Sequence, residues 1–413
     1  MWAYQILLSL LTPLIMRKLK RLEKNHDNYS LQQALGNVDK EIRVDLWIHC
    51  ASVGEVLAVR PLVNEWQRLF PKKQLLITTM TPTGAAQVGQ LFQNNVQHHY
   101  LPVDWKRSVK KFLSKVTCPK LLIVETEMWP NLLFECKQQN IAVYLINARL
   151  SERSLKKYLK FKTLSKAIMA LPKRICAHDA ADADRFRKLG VESICVTGNI
   201  KFDLTIPDSV LESNWKSHLA EGSLVWIGAS THEGEEILLC ESHKRIKQTH
   251  PMALLILVPR HPERFDAVYD LARGYFQRVA KRSEVTAENW SQYDVIIGDS
   301  MGELLLYYHC ADVAFVGGSL ITRGGHNPIE PALLSKPILI GEHTFNFKEI
   351  TQELIQEGGA LLCIDRSVLI ENVLILFDDD SLRQVMGERS LSFAQRNQGA
   401  VSRVLDCIDE IKH

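Results

Sequence analysis

Short, uninterrupted apolar runs recur along this chain, each followed by a longer stretch with helical spacing, and this alternation limits the fold more than any other feature. In the first half the runs lie at 46–51, 74–79, 98–102, 121–125, 143–147, 174–177 and 194–197. In the second they lie at 224–229, 253–258, 295–298, 313–316, 337–340 and 360–363. Continuous rather than alternating apolar strands, separated by helices, predict parallel sheets covered on both faces. Pro207 and polar residues interrupt the pattern over 203–223. At 413 residues the chain suits two domains of ordinary size, so the expectation is an α/β protein of two doubly wound halves facing each other across a cleft.

In such sheets a ligand sits beyond the carboxyl ends of the strands. The first strand runs into Ser52, Gly54 and Glu55, where a carboxylate at a helix start can act as a general base or merely cap the helix. The fourth ends in Glu125-Thr126-Glu127-Met128-Trp129, two carboxylates on one side of an extended segment beside an aromatic ring that can lie against a sugar; both acids could also be caps or salt-bridge partners. In the second half, Ser230 to Glu235 offers hydroxyls and amides at a helix start, Pro259-Arg260-His261 places cations after a strand, and Ser300-Met301-Gly302-Glu303 makes an open turn.

The richest stretch is 317–331, GGSLITRGGHNPIEP. Gly317, Gly318, Gly324 and Gly325 let a backbone approach a ligand, Arg323 and His326 supply donors, and Asn327 can cap a helix starting near Pro328. Glu330 then falls in the first turn, where a carboxylate can take two ribose hydroxyls. Together these turns read as a sugar-nucleotide pocket.

A formal charge of +3 is too small to imply a nucleic-acid partner, but the basic residues crowd the N-terminus. Residues 2–16 are almost uncharged and are followed by Arg17, Lys18, Lys20, Arg21 and Lys24. A secretory signal would carry its charge before the apolar core. The run is shorter than the ~20 residues of a comfortable span. A tilted span, an in-plane anchor and a buried first helix all fit, and the basic cluster suits an anionic cytoplasmic leaflet. Nine scattered cysteines without a CxxC read as reduced core thiols.

The strings ASVGE, TTMTPTG, ETEMWPN, NARLSERS, TGNIKFD, STHEGEE, LVPRHPERF, DSMGEL, FVGGSL and GGHNPIEP occur in that order between residue 46 and about 350. In this the chain closely resembles the 3-deoxy-D-manno-octulosonic acid (Kdo) transferases. The resemblance implies a GT-B fold of two Rossmann-like domains, with a membrane anchor at 1–24, an acceptor-binding domain at 40–205 and a CMP-Kdo-binding domain at 220–413 whose last helix packs back on the first. It implies an inverting transfer of Kdo from CMP-Kdo to a lipid A precursor (lipid IVA) in lipopolysaccharide core synthesis, at the cytoplasmic face of the inner membrane. No metal or cofactor is implied. By the same resemblance Glu55 is the base, Glu125 and Lys201 stabilise the transition state, and Pro259, Arg260, Met301, Gly302, Glu303, Asn327, Pro328, Ile329 and Glu330 hold CMP. Residues 25–40 depart from the family, which often has an Arg/Gly/Tyr-rich linker there.

Other classes lack their spacing. There is no GxGxxG followed by an acid for a dehydrogenase and no GxxxxGK[ST] for a P-loop enzyme. His261-Pro262-Glu263 has no PCxxC after it, as a zinc deaminase would require. Asp182-Ala183-Asp184 falls in a helical run and reads as solvated surface. The remaining alternatives are a GT-B transferase or epimerase acting on another nucleotide sugar, and a membrane-tethered nucleotide-sugar sensor.

Overall fold

The computed structural model describes residues 2–219 and 222–408. By its contacts the chain divides into two units, Met1–Asp203 with Gln398–His413, and Leu204–Asn397.

The first unit opens with a long helix, α1 (Trp2–Asn25), and a short strand, β1 (Ile42–Arg43). The strands that follow are β2 (Leu46–His49), β3 (Leu75–Thr79), β4 (Gln97–Tyr100), β5 (Val116–Thr117), β6 (Lys120–Val124), β7 (Ala142–Ala148), β8 (Arg174–Ala177) and β9 (Ile194–Val196). Seven of them form one parallel sheet in the order β4-β3-β2-β6-β7-β8-β9, while β1 pairs with β5 alone. The sheet is covered on both faces, as its unbroken apolar strands require. Leu46 and Ile48 pack into one core and Trp47, from the same strand, into the other. Val401, Val404 and Leu405 of the helix Ala400–Cys407 complete the first of these cores. The helix is entered through Asp203, whose carboxylate accepts from the amides of Gly399, at 2.7 Å, and Val401.

The second unit carries β10 (Val225–Thr231), β11 (Leu254–Pro259), β12 (Val279–Lys281), β13 (Val295–Ile297), β14 (Val313–Val316), β15 (Ile338–Gly341) and β16 (Ala360–Cys363), all parallel, in the order β12-β13-β11-β10-β14-β15-β16. Trp226 faces one core, Val225 and Ile227 the other. Each apolar run of the sequence is a strand. Short β1, β5 and β12 fall outside those runs.

Two sequence expectations need correction. Cys195 and Cys407, 212 residues apart, are joined by a disulfide that ties β9 to the helix Ala400–Cys407; the other cysteines are free and buried. No spacing rule reaches a pair that only the fold brings together. Asp182 is not solvated surface. It is 3% exposed and its Oδ1 accepts from the Leu150 amide at 2.7 Å and from Arg185 at 2.9 Å. Of the readings open for the N-terminal run, a span finds no support: among the described residues no helix is long and apolar enough to cross a membrane. One face of α1 instead joins the first unit, Leu19 packing with Tyr29, Ala34, Tyr100 and Val103.

Candidate active site

In each sheet the chain fills one side of a central strand and then crosses to fill the other, and the crevice at this crossing is where ligands of doubly wound sheets bind. In the first unit the crossing lies between β2 and β6, in the second between β10 and β14. The segments leaving these four strands hold most of the acids and glycines singled out by sequence.

After β2 comes the helix Val53–Ala58, with Ser52 before it and Glu55 in its first turn. Glu55 is 6% exposed, and its carboxylate turns back to accept from the Ala51 amide at 2.7 Å and the Ser52 hydroxyl at 2.9 Å. It is thus a capping residue and a candidate base at once. Burial pushes its pKa up to about 7, helped by the negative charges of Glu125 and Glu127 and opposed by the two hydrogen bonds. A carboxylate near neutrality is well matched to taking a proton at physiological pH.

After β6, Glu125 has φ of 58°, in the left-handed region that a non-glycine residue seldom enters. The segment is therefore not extended at that point, and the expected alternation that would put Glu125 and Glu127 on one side does not apply. Burial and the Glu125 charge raise the Glu127 carboxyl above its ordinary value. Lys201, in the turn Ile200–Phe202, joins the same group: burial pulls its ammonium down, Glu125 and Glu55 pull it up, and Arg149 lowers it. Glu55, Glu125 and Lys201, far apart in sequence, thus act on one another electrostatically.

Two asparagines that sequence does not single out support this cluster. Asn147, near the end of β7 with φ of 49°, accepts the Ile200 amide at 3.2 Å through Oδ1, and Asn199 accepts the Lys201 amide at 3.1 Å. Together they fix the turn that carries Lys201. Strain held by such bonds at strand ends is common at functional sites.

In the second unit, Glu235 organises the glycine-rich turn after β14. Fully buried, its carboxylate accepts from the amides of Gly318 at 2.7 Å, Ser319 at 3.1 Å, Leu320 at 3.1 Å and His232 at 3.0 Å. Gly317 cannot carry a side chain, because a Cβ there would lie 2.7 Å from the carbonyl oxygens of Ala229 and Ser230. Beside this turn His232 and His326 stack with Nε2 atoms 2.9 Å apart, and His261 stands edge-on to His232 with centroids at 5.4 Å. Burial, then the neighbouring histidines and arginines, lower His232 to about 4 and His326 to about 3; Arg260 acts on both. Neutral imidazoles among arginines leave a net positive surface suited to an anionic ligand.

The remaining predicted donor residues are placed as follows. Pro259 ends β11, and the Arg260 amide donates to the Thr231 carbonyl at 2.9 Å. Met301 is 56% exposed and Gly302 has φ of 87° with open space around it. Glu303 accepts from Arg282 at 2.9 Å and from the hydroxyls of Ser300 and Tyr307. Asn327 Oδ1 accepts the Ile329 amide at 3.0 Å, one residue ahead of the Pro328 cap of the helix Ile329–Leu333, which has Glu330 in its first turn. Pro328 is buried and Ile329 is fully buried, so the Ile329 side chain serves the core.

Comparison with known proteins supplies the chemistry that this geometry suits. Residues 18–204 match the family described as 3-deoxy-D-manno-octulosonic-acid transferase (kdotransferase). The 3-deoxy-D-manno-octulosonic acid transferase of Haemophilus influenzae is 38% identical over 423 residues, covering 99% of this chain and 98% of the relative. Among solved structures, UDP-GlcNAc 2-epimerase from Neisseria meningitidis superposes with a TM-score of 0.57 at 16% identity, covering 89% of this chain and 99% of that one. MurG from Acinetobacter baumannii gives 0.54 at 10% identity, covering 90% and 100%. One fold thus carries an epimerase and MurG alike, and identity at that level speaks for the GT-B fold only. Identity across the whole length of the Haemophilus protein speaks for more: the chain belongs to the 3-deoxy-D-manno-octulosonic acid transferases and is a glycosyltransferase.

Proposed function

We propose that the protein moves Kdo from CMP-Kdo to a lipid A precursor, lipid IVA, in lipopolysaccharide core synthesis, inverting the anomeric centre, with Glu55 as general base. The observation that carries the reading is the buried Glu55 at the helix start after β2, its carboxylate held by the Ala51 amide and the Ser52 hydroxyl and within electrostatic reach of Glu125. As the acceptor hydroxyl attacks the anomeric carbon, its proton passes to Glu55. The bond from that carbon to the CMP phosphate breaks, and CMP leaves as a phosphomonoester. Glu125 faces the developing oxocarbenium-like charge and Lys201 the developing negative charge. Arg260 and the His232–His326 pair hold anionic groups of the donor, and Glu303 and Glu330 the hydroxyls of the nucleotide. Neither metal nor cofactor enters this scheme.

The same reading places the protein at the cytoplasmic face of the inner membrane. Leu10 and Leu14 of α1 are 72% and 65% exposed, and a helical turn further on come exposed Arg17 and Arg21. An apolar strip followed by cations on one helix face suits an in-plane seat among anionic headgroups. Purified protein incubated with CMP-Kdo and a Kdo-free lipid A precursor should yield an acceptor heavier by Kdo, together with CMP. Release of CMP without acceptor gain, or turnover only of a UDP-sugar, would overturn the assignment.

A further inference from the structure

Between α1 and the carboxyl edge of the first sheet lies a cavity of about 490 Å³. One wall is the inner face of α1, where Leu8, Ile15, Leu19 and Leu22 recur at the three-, four- and seven-residue spacings of a single helical stripe. The opposite wall includes Tyr100 and Trp105. Part of this stripe is buried in the ordinary way of an amphipathic helix, Leu19 against Tyr29, Ala34, Tyr100 and Val103, yet the two walls do not close on each other and enclose space.

The cavity also adjoins the segment that holds Glu55. Ala51, whose amide donates to Glu55, lines it, as do Glu127, which acts on Glu55 electrostatically, and Trp129. Trp129 was expected against a sugar; it stands in the wall of this apolar space. Lys18, exposed on α1, lines it as well. One structural element therefore presents an apolar strip outward, a cation at the rim and an apolar wall inward.

We propose that this cavity takes one acyl chain of the lipid acceptor, drawn in beneath α1, and so sets the acceptor's hydroxyl against Glu55. The inference rests on the lipid acceptor of the proposed function and adds where its chain is held. Three observations favour an acyl chain over a second protein or a soluble aromatic. The volume lies within the range of closed small-molecule sites. The outer face of the same helix is the surface suited to a lipid phase. The helix that roofs the cavity is held at its N-terminal end by polar ties, Tyr4 to Asp104 at 2.7 Å and Gln5 to Asn131, which a sliding chain need not break.

Two measurements test this. In the first, the fluorescent polyene fatty acid cis-parinaric acid is titrated into the full-length protein. Saturable binding is expected, and it should be lost in Leu19→Trp and in Ala34→Phe, which fill the space, while CMP affinity is unchanged. In the second, KM is measured for acceptors of graded acyl length. It should fall roughly fourfold per added methylene until the cavity is full, and this slope should flatten in both variants. No probe binding by the unaltered protein, or equal binding by folded variants, overturns the proposal. So does probe binding that phospholipid vesicles abolish with a flat chain-length dependence, since a membrane lipid then holds the cavity. Probe binding without Kdo transfer to any acceptor would instead sink the functional reading and remove the acceptor as the chain's source.

Discussion

The Glu235 carboxylate accepts a hydrogen bond from the Gly318 amide at 2.7 Å, joining residues that lie 83 positions apart. This bond and those from the Ser319 and Leu320 amides convert a flexible glycine turn into a fixed one. Charged hydrogen bonds of this kind contribute about 1.5–3 kcal/mol each, and an unmet buried partner costs as much again. Glu235→Gln keeps one acceptor oxygen but brings a donor against amide donors. It should weaken CMP binding measured by calorimetry and lower the thermal midpoint. An unchanged CMP affinity would remove the turn from the nucleotide site.

Glu55 is buried and shifted up to about 7. As the base it must be deprotonated, so kcat/KM should fall as pH drops through about 7. Glu55→Gln should reduce turnover by ~10²–10⁴-fold and abolish that acidic limb while CMP still binds. The variant should also lose little stability at pH 5, where the native side chain is itself protonated. A raised carboxyl pKa favours the fold below its ordinary value of 4.5 and withdraws that support as pH rises toward 7. Near-normal turnover of the Gln variant would pass the role to Glu125 or Glu127.

The histidine pair predicts proton uptake. His232 and His326, held near 4 and 3, are neutral at pH 6, and an anionic phosphate beside them should raise both. CMP titrations at pH 6 in buffers of different ionisation heat should reveal up to about one proton bound per nucleotide, by the ordinary linkage between charge and binding. His326→Asn should remove it. Heats independent of buffer would place the phosphate elsewhere. For stability the sign is opposite to that of Glu55: depressed histidine pKa values cost the fold stability as pH falls below 6.5.

Neutralising Arg17, Lys20, Arg21 and Lys24 to Gln should weaken binding to anionic vesicles, at about 1 kcal/mol per charge, without unfolding the protein. Flotation with vesicles of graded anionic content measures this. Removing α1 altogether is a different experiment. It strips Leu19 from Tyr29, Ala34 and Tyr100 and the Tyr4 hydroxyl from Asp104, so the truncated chain should melt earlier. Vesicle binding by the quadruple variant equal to that of the native protein would dismiss the basic face as the seat.

Strand by strand, the two parallel sheets were legible in sequence, because a strand buried on both faces must be apolar throughout and short, and no other element shares that pattern over so many repeats. That Glu55 and Arg260 follow closely on the strands β2 and β11 was legible too. What the tertiary structure alone decided is how those ends are used. Period and composition carry no information about contacts between distant positions. The Cys195–Cys407 pairing, the grip of Glu235 on Gly318, the burial of Asp182 and the positive φ of Glu125 and Asn147 were therefore beyond the sequence's reach. The same holds for α1. Its sequence says that it is apolar and then basic; only packing shows that Leu8, Ile15, Leu19 and Leu22 line a cavity with Ala51 and Glu127 while Leu10 and Leu14 face outward.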